Sequence, residues 1–300
     1  MREQSSGDSE NQTTQLILVG FGELQHLGFL PFTLFLAIYM VTVGGNSLIM
    51  LAVASSQTLH TPMYFFLCHF SLLEIGYTSN IVPPLLHSFL EGKEAISLVT
   101  CLFQFYMFAS LAAAEYLLLS AMSYDLYLAI CHPLHYPVLM STWLCSCLAI
   151  GAWLSGFSSA FTLALAAPLP LCSGIREIGH YFCDFAPIVG LFCSDVRVMW
   201  RMGVSISGFL TLAPFLLIVA SYALILRAVL QIPSAHGRQK AFSTCSSHLS
   251  MVGVFYGTLI VVYVAPTDHM APLFRKAFSV LYTILTPMVN PIIYASRTKR

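Results

Sequence analysis

Charge is what this chain is short of. Asp, Glu, Lys and Arg together make up 9% of its 300 residues, where a soluble domain carries about 25%. Thirteen bases and thirteen acids cannot wet the surface of a globule this long, so a soluble cytosolic enzyme is excluded. Their zero balance leaves no basic field, so no nucleic-acid partner is expected. The 57% apolar content rules out a disordered chain. Enzyme signatures are missing too: no phosphate-cradling glycine loop, no paired-histidine zinc motif and no nucleophile elbow. A nucleophile with its base and orienter cannot be assembled from so few polar groups. There is no low-complexity tract and no inverted repeat of the kind many transporters show. Residues 1–26 are polar and lack a long apolar stretch, so no cleavable signal peptide is expected, and the first helix serves as the insertion signal.

What remains is a membrane protein, and the gaps between charges map it. Residues 24–73 and 126–175 hold no Asp, Glu, Lys or Arg. Each gap is more than twice the roughly 20 residues that cross a hydrocarbon core, so each holds two spans and a turn. Ser55-Ser56-Gln57-Thr58 with Pro62 breaks the first. Pro133 and Pro137 break the second early, and Pro168 and Pro170 break it late. Residues 202–226, 241–267 and 277–296 are single gaps. The expectation is an all-α membrane protein with a seven-transmembrane helix bundle, one domain over residues 1–300. The helices fall at about 28–54, 62–87, 98–130, 139–166, 199–230, 240–265 and 273–295, with residues 296–300 as a short cytoplasmic tail. The lipid bilayer is then the first partner.

Seven spans put the termini on opposite sides. Lys and Arg divide almost evenly between the sides and set no orientation. Asn11-Gln12-Thr13 is a glycosylation acceptor, useful only in the lumen. Cysteine parity agrees with it. With the N-terminus outside and the C-terminus cytoplasmic, Cys101, Cys172, Cys183 and Cys193 lie on the oxidising side, an even number able to pair fully. Four cysteines allow three pairings, and spacing does not choose among them. The other five, Cys68, Cys131, Cys145, Cys147 and Cys245, read as small hydrophobes.

The local motifs carry a resemblance. Residues 59–67 (LHTPMYFFL) open helix two, 122–131 (MSYDLYLAIC) close helix three, Ser221-Tyr222 falls late in helix five, 240–249 (KAFSTCSSHL) opens helix six and 287–294 (PMVNPIIY) lies in helix seven. With Gly45-Asn46 in helix one and a cysteine-rich second outer loop, the chain resembles an odorant (olfactory) receptor, a rhodopsin-like G-protein-coupled receptor. The joint order of these motifs covers nearly the whole sequence. The resemblance implies pairing of Cys101 with Cys183 and of Cys172 with Cys193, and a small apolar volatile ligand. It implies a heterotrimeric G protein of the stimulatory olfactory type as partner. The switch residues it implies are Asp125, Leu126, Tyr127, Tyr222, Asn290, Pro291 and Tyr294. At position 126 the chain departs from the family, which carries Arg after the aspartate; Leu offers neither charge nor donor. An alternative expectation is therefore a member that binds ligand but couples poorly or not at all. A transporter or channel, supported only by two buried acids, is the remaining rival.

Those acids are Glu74 and Glu115, alone deep in the membrane, where a charge marks function. By resemblance they fall, with Asn46 and Asn290, where receptors of this class hold a sodium ion, so an allosteric sodium is the one cofactor considered. The alternative is a protonated, hydrogen-bonded pair without an ion. The ligand is expected in the outer half of the bundle, reached from outside. Helical spacing gathers Phe105, Phe108, Ala109, Ala112 and Ala113 on helix three. Ile206, Ser207 and Leu210 would face them from helix five, Tyr256, Leu259, Ile260 and Tyr263 from helix six, and Thr283 from helix seven. Receptors for amines carry an acid where Phe108 stands, so a cationic ligand is not expected. The inner-side histidines His132, His135, His236 and His248 lack metal-ligand spacing and read as solvated or headgroup-facing.

Overall fold

The computed structural model describes residues 15–22, 27, 29–92, 94–165, 177–264 and 272–295. Seven long helices run through it: α1 Phe29–Ser55, α2 Pro62–Glu91, α3 Leu98–Cys131, α4 Thr142–Leu165, α5 Arg197–Leu230, α6 Ala235–Val264, and α7 over residues 272–295. Among the described residues, α1, α3, α4, α5 and most of α7 are long and apolar enough to cross a membrane by themselves. The helices α2 and α6 fall short on composition, because α2 carries His69 and Glu74 and α6 carries Ser246, Ser247, His248 and Ser250. α2 lies against both α1 and α3. Its polar groups Ser71, Glu74 and Thr78 are buried among its neighbours, away from lipid. The lipid-facing sides are leucine-rich instead, with Leu30, Leu34, Leu48 and Leu51 of α1 and Leu212, Leu216 and Leu217 of α5 all exposed.

Helix ends follow local chemistry. Pro62 opens α2 at its first turn, where a missing N–H costs nothing. α2 continues past 87 to Glu91 and stops where Gly92 takes φ 89°, a conformation glycine adopts without strain. Thr142 starts α4 later than the charge map suggests. Tyr136–Leu139 forms its own short turn between Pro133 and Ser141. α6 begins at Ala235, just after Pro233. α7 is regular over Pro272–Val280, widens to a π-helical turn over Leu281–Leu285 and resumes over Thr286–Ala295. The turn precedes Pro287, which has no N–H to give the regular pattern. Thr286 Oγ1 closes it by donating to Leu281 O at 2.9 Å.

A small sheet caps one end. β1 (Gln15–Leu18) lies between β2 (Glu94–Ser97), to which it is antiparallel, and β3 (Glu177–Ile178), to which it is parallel. Leu16 and Leu18 alternate inward onto Ile96 and Ile178, the period-2 pattern of a half-buried strand. Part of the segment expected as a polar tail is thus an element of the fold. The same end carries the Cys101–Cys183 disulfide, which forms on the oxidising side, so the sheet marks the outer face.

Candidate functional site

The outer layer is built around the disulfide. Cys101 sits one turn into α3 and Cys183 in the second outer loop, 82 residues on. The Cys183 N–H donates to Gln104 Oε1 at 2.9 Å. Gln104 Nε2 donates to Asn80 O at 3.0 Å, and Asn80 Nδ2 donates back to Gln104 O at 2.8 Å. Loop, α2 and α3 are locked together. The bridge therefore pulls its sequence neighbours His180, Tyr181 and Phe182 down between the helices. Phe182 meets the Phe108 ring edge-on at 5.1 Å. Tyr181 stacks on Phe21 at 5.2 Å and shares a 2.8 Å hydrogen bond with Thr283. This aromatic roof lies directly over the expected ligand face.

The structure divides the expected pocket residues. Phe105 and Ala113 are buried on α3, with Phe108, Ala109 and Ala112 half-buried beside them. Phe105 rests on Phe185 of the loop at 6.1 Å. Tyr256 and Leu259 are buried, and Tyr256 packs on Phe215 of α5 at 4.8 Å. Ile260 departs from the expectation. One step on from Leu259, and so about 100° round the helix, it is 55% exposed. Ser207 is exposed, while Ile206 and Leu210 are half-buried. The latter two line a groove of about 350 Å³ with Ser159, Ser205 and Phe209, where α5 meets α4. The side chains of Tyr263 and Tyr294 lie outside the described set, as do Asn11 and Cys172. Cys193 is disulfide-bonded.

The middle layer is polar and closed. Glu74, Glu115, Asn46 and Asn290 are all buried. Asn290 Nδ2 donates to Glu74 Oε1, and Asn46 Nδ2 donates to Thr42 O at 3.1 Å and Pro287 O at 3.4 Å. Both amide nitrogens donate, yet several oxygens have no partner. Asn46 Oδ1, Glu74 Oε2, Glu115 Oε1 and Asn290 Oδ1 have no hydrogen-bond partner. A buried acceptor without a donor is costly and uncommon. The four come from α1, α2, α3 and α7. Among the described residues no group of three His, Cys, Asp or Glu could hold a metal ion.

The inner layer contains the unusual position. Leu126 is 2% exposed and packs with Ile225 and Val229 of α5 and Cys245 of α6. Beside it Asp125 accepts a hydrogen bond from Tyr136 OH at 2.7 Å, and Tyr127 OH meets His132 Nε2 at 3.0 Å. Pro291 lies inside the last stretch of α7. His248 corrects the sequence expectation: it is buried, neither solvated nor at the headgroups. Its Nε2 lies 3.1 Å from Leu119 O, which can only accept, so that nitrogen carries the proton. In the neutral ring Nδ1 then accepts from Tyr222 OH at 2.8 Å. α5, α6 and α3 are joined through one imidazole.

Sequence reasoning missed the roof, although a signal existed. A loop cysteine tied to α3 must carry its aromatic neighbours inward. It also missed the His248 bridge, which depends on helix rotation.

Comparison with known proteins agrees with this architecture. A family model described as "Olfactory receptor" matches residues 35–300. Olfactory receptor 11A1 of Homo sapiens is 49% identical over 291 residues, 96% of this chain and 92% of that protein. Olfactory receptor 6N1 of Homo sapiens is 44% identical over 290 residues, 96% and 93% respectively. Among solved structures, squid rhodopsin superimposes with a TM-score of 0.72 at 14% identity, covering 90% of this chain and 77% of that one.

Proposed function

Since the chain belongs to the olfactory receptor family, multi-pass receptors of the plasma membrane rather than enzymes, we propose that it binds a small apolar volatile in the outer half of the bundle and activates a heterotrimeric G protein of the stimulatory olfactory type. The observation that carries this is the apolar inward face of α3. Phe105, Phe108, Ala112 and Ala113 offer contact area and no charge, and hydroxyls such as Tyr256 and Thr283 supply the few polar handles of a small-molecule site. The ligand favours a state with α6 swung outward from α3 and α5, by its differential affinity for that state. The test is cyclic-AMP output from cells carrying the olfactory G protein, challenged with a panel of volatiles while surface receptor is counted. A response to at least one apolar volatile is expected; silence across the panel at full surface expression refutes it.

A second reading has its own support. Leu126 fills an apolar cluster where the family carries a guanidinium. An incoming G-protein helix then finds neither charge nor donor at the end of α3, and a receptor that binds without efficient coupling results. Leu126→Arg raises ligand-evoked cyclic AMP if this residue limits coupling; an unchanged response rules that out.

We further propose that the four unpartnered oxygens of Asn46, Glu74, Glu115 and Asn290 hold a sodium ion, whose charge would balance the carboxylates. Glycosylation at Asn11 and a Cys172–Cys193 bridge complete the proposed outer chemistry.

A further inference from the structure

The outer mouth, through which a ligand would be expected to pass, is closed. β1 bridges the two outer loops, Phe21, Tyr181 and Phe182 fill the space beneath it, and Lys276 Nζ of α7 donates to Gly20 O at 2.7 Å. Among the described residues, the flank of the bundle between α4 and α5 carries a groove. Gly156 seats α4 hard against α3: a Cβ there would lie 2.3 Å from Ser110 O. The outer end of α5 is held separately, by Phe185 stacked on Trp200 at 5.6 Å. Between these fixed points lies the groove of about 350 Å³ lined by Ser159, Ser205, Ile206, Phe209 and Leu210. That volume is at the small end of the roughly 300–1,000 Å³ of small-molecule sites. Ser205 to Leu210 lies about 12–20 Å along α5 from its outer end, at ~1.5 Å per residue, within the outer leaflet.

Its two hydroxyls differ in their hydrogen bonding. On the spanning helices, hydroxyls such as Ser110, Ser123 and Thr162 donate to backbone carbonyls three or four residues earlier, as Ser and Thr in a helix can. Ser159 does so toward Gly156 O at 2.8 Å. Among the described residues Ser205 makes no such bond. An exposed, uncommitted hydroxyl beside Phe209 and Leu210 suits a guest with an apolar body and one polar group.

We propose that the groove between α4 and α5 is a lipid-side binding site and portal for a small apolar molecule bearing one hydroxyl or carbonyl group, which partitions into the outer leaflet and passes Ile206 and Leu210 to reach α3. This rests on the ligand-pocket reading above, in which Ile206 and Leu210 face α3.

The full chain in lipid nanodiscs, exposed to a diazirine-bearing octanol and irradiated, provides the test. Labelled peptides are then mapped. Labelling is expected on α4 and α5 around Ser159 and residues 205–210, and on α3 across residues 105–113. Ser205→Trp, which fills the groove, reduces both by at least about fivefold, comparable to losing a hydrogen bond with its packing. Val204→Trp adds the same bulk on the lipid face and changes neither. The proposal is overturned if the groove is unlabelled, or if Ser205→Trp leaves α3 labelling intact. Labelling of the groove with none on α3 in any variant supports the groove as a site and refutes the pocket reading instead.

Discussion

The two ends of α3 are held in opposite ways. At the outer end Cys101 is covalently joined to Cys183, Gln104 bonds to α2 and to the loop, and the three-stranded sheet closes over them. At the inner end Leu126 meets Ile225, Val229 and Cys245 through apolar contact, and the directional links between helices are few: His248 of α6 to Leu119 O, and the long Cys131 Sγ contact to Leu224 O of α5 at 3.8 Å. Covalent and hydrogen bonds have fixed lengths and tolerate little sliding. Apolar contact is non-directional and re-forms after a shift. The outer end is therefore a fixed frame and the inner end is where α5 and α6 can move, which is the asymmetry a ligand-driven receptor needs.

Breaking the frame should have the largest effect. Cys101→Ser opens a loop closed over 82 residues, at a cost of about 4 kcal/mol, and releases the Tyr181–Phe182 roof. Surface expression and the half-life of purified receptor in detergent both fall steeply; a variant that folds and traffics normally would remove the frame from the argument. Next comes the inner cluster. Leu126→Ala leaves a void among buried side chains and costs about 3 kcal/mol. Because the loss is confined to the α3–α5–α6 contact, spin labels on the inner ends of α3 and α6 should report a broader distance distribution, while labels at the outer ends do not.

Much of this contrast was legible in the sequence, and the reasons differ by element. The spans were readable because charges are excluded from hydrocarbon, so the gaps at 24–73 and 126–175 could only be paired helices. Glu74 and Glu115 stood out by the same logic. The roof was not readable, because it depends on how a loop folds back in three dimensions once Cys183 is bonded. Ile260 and His248 were misplaced for one shared reason. A residue's depth along a helix follows from counting, but its direction depends on rotation, and a single step turns it about 100°. Leu16 and Leu18 carried a strand pattern too short to separate from a polar tail.

A smaller change sharpens the inner end. His248→Phe keeps a ring against Tyr222, stacked now at 5.9 Å, but removes the bridge to Leu119 O and leaves the Tyr222 hydroxyl without its 2.8 Å partner. The cost is about 2 kcal/mol. It falls on the state in which α6 lies against α3, so basal cyclic-AMP output rises without added ligand. An unchanged basal level would mean that apolar packing at Leu126 alone holds α6 in place.

The smallest expected effect tests whether the middle layer couples the two ends. Asn46, Glu74, Glu115 and Asn290 come from α1, α2, α3 and α7, and each leaves an oxygen unpartnered. A sodium ion bound there would draw four helices together halfway between the fixed frame and the mobile end. At about ten times its dissociation constant it stabilises the occupied state by about 1.4 kcal/mol. Replacing sodium by N-methylglucamine at constant ionic strength should lower the melting temperature of the purified receptor by a few degrees, and Glu74→Gln should abolish the difference. By reciprocity, any ligand that requires these helices to separate binds more weakly in sodium, by the same factor that it weakens sodium binding. If melting is indifferent to the cation in both proteins, the two acids instead form a protonated, hydrogen-bonded pair. The ends of α3 would then communicate through helix packing alone.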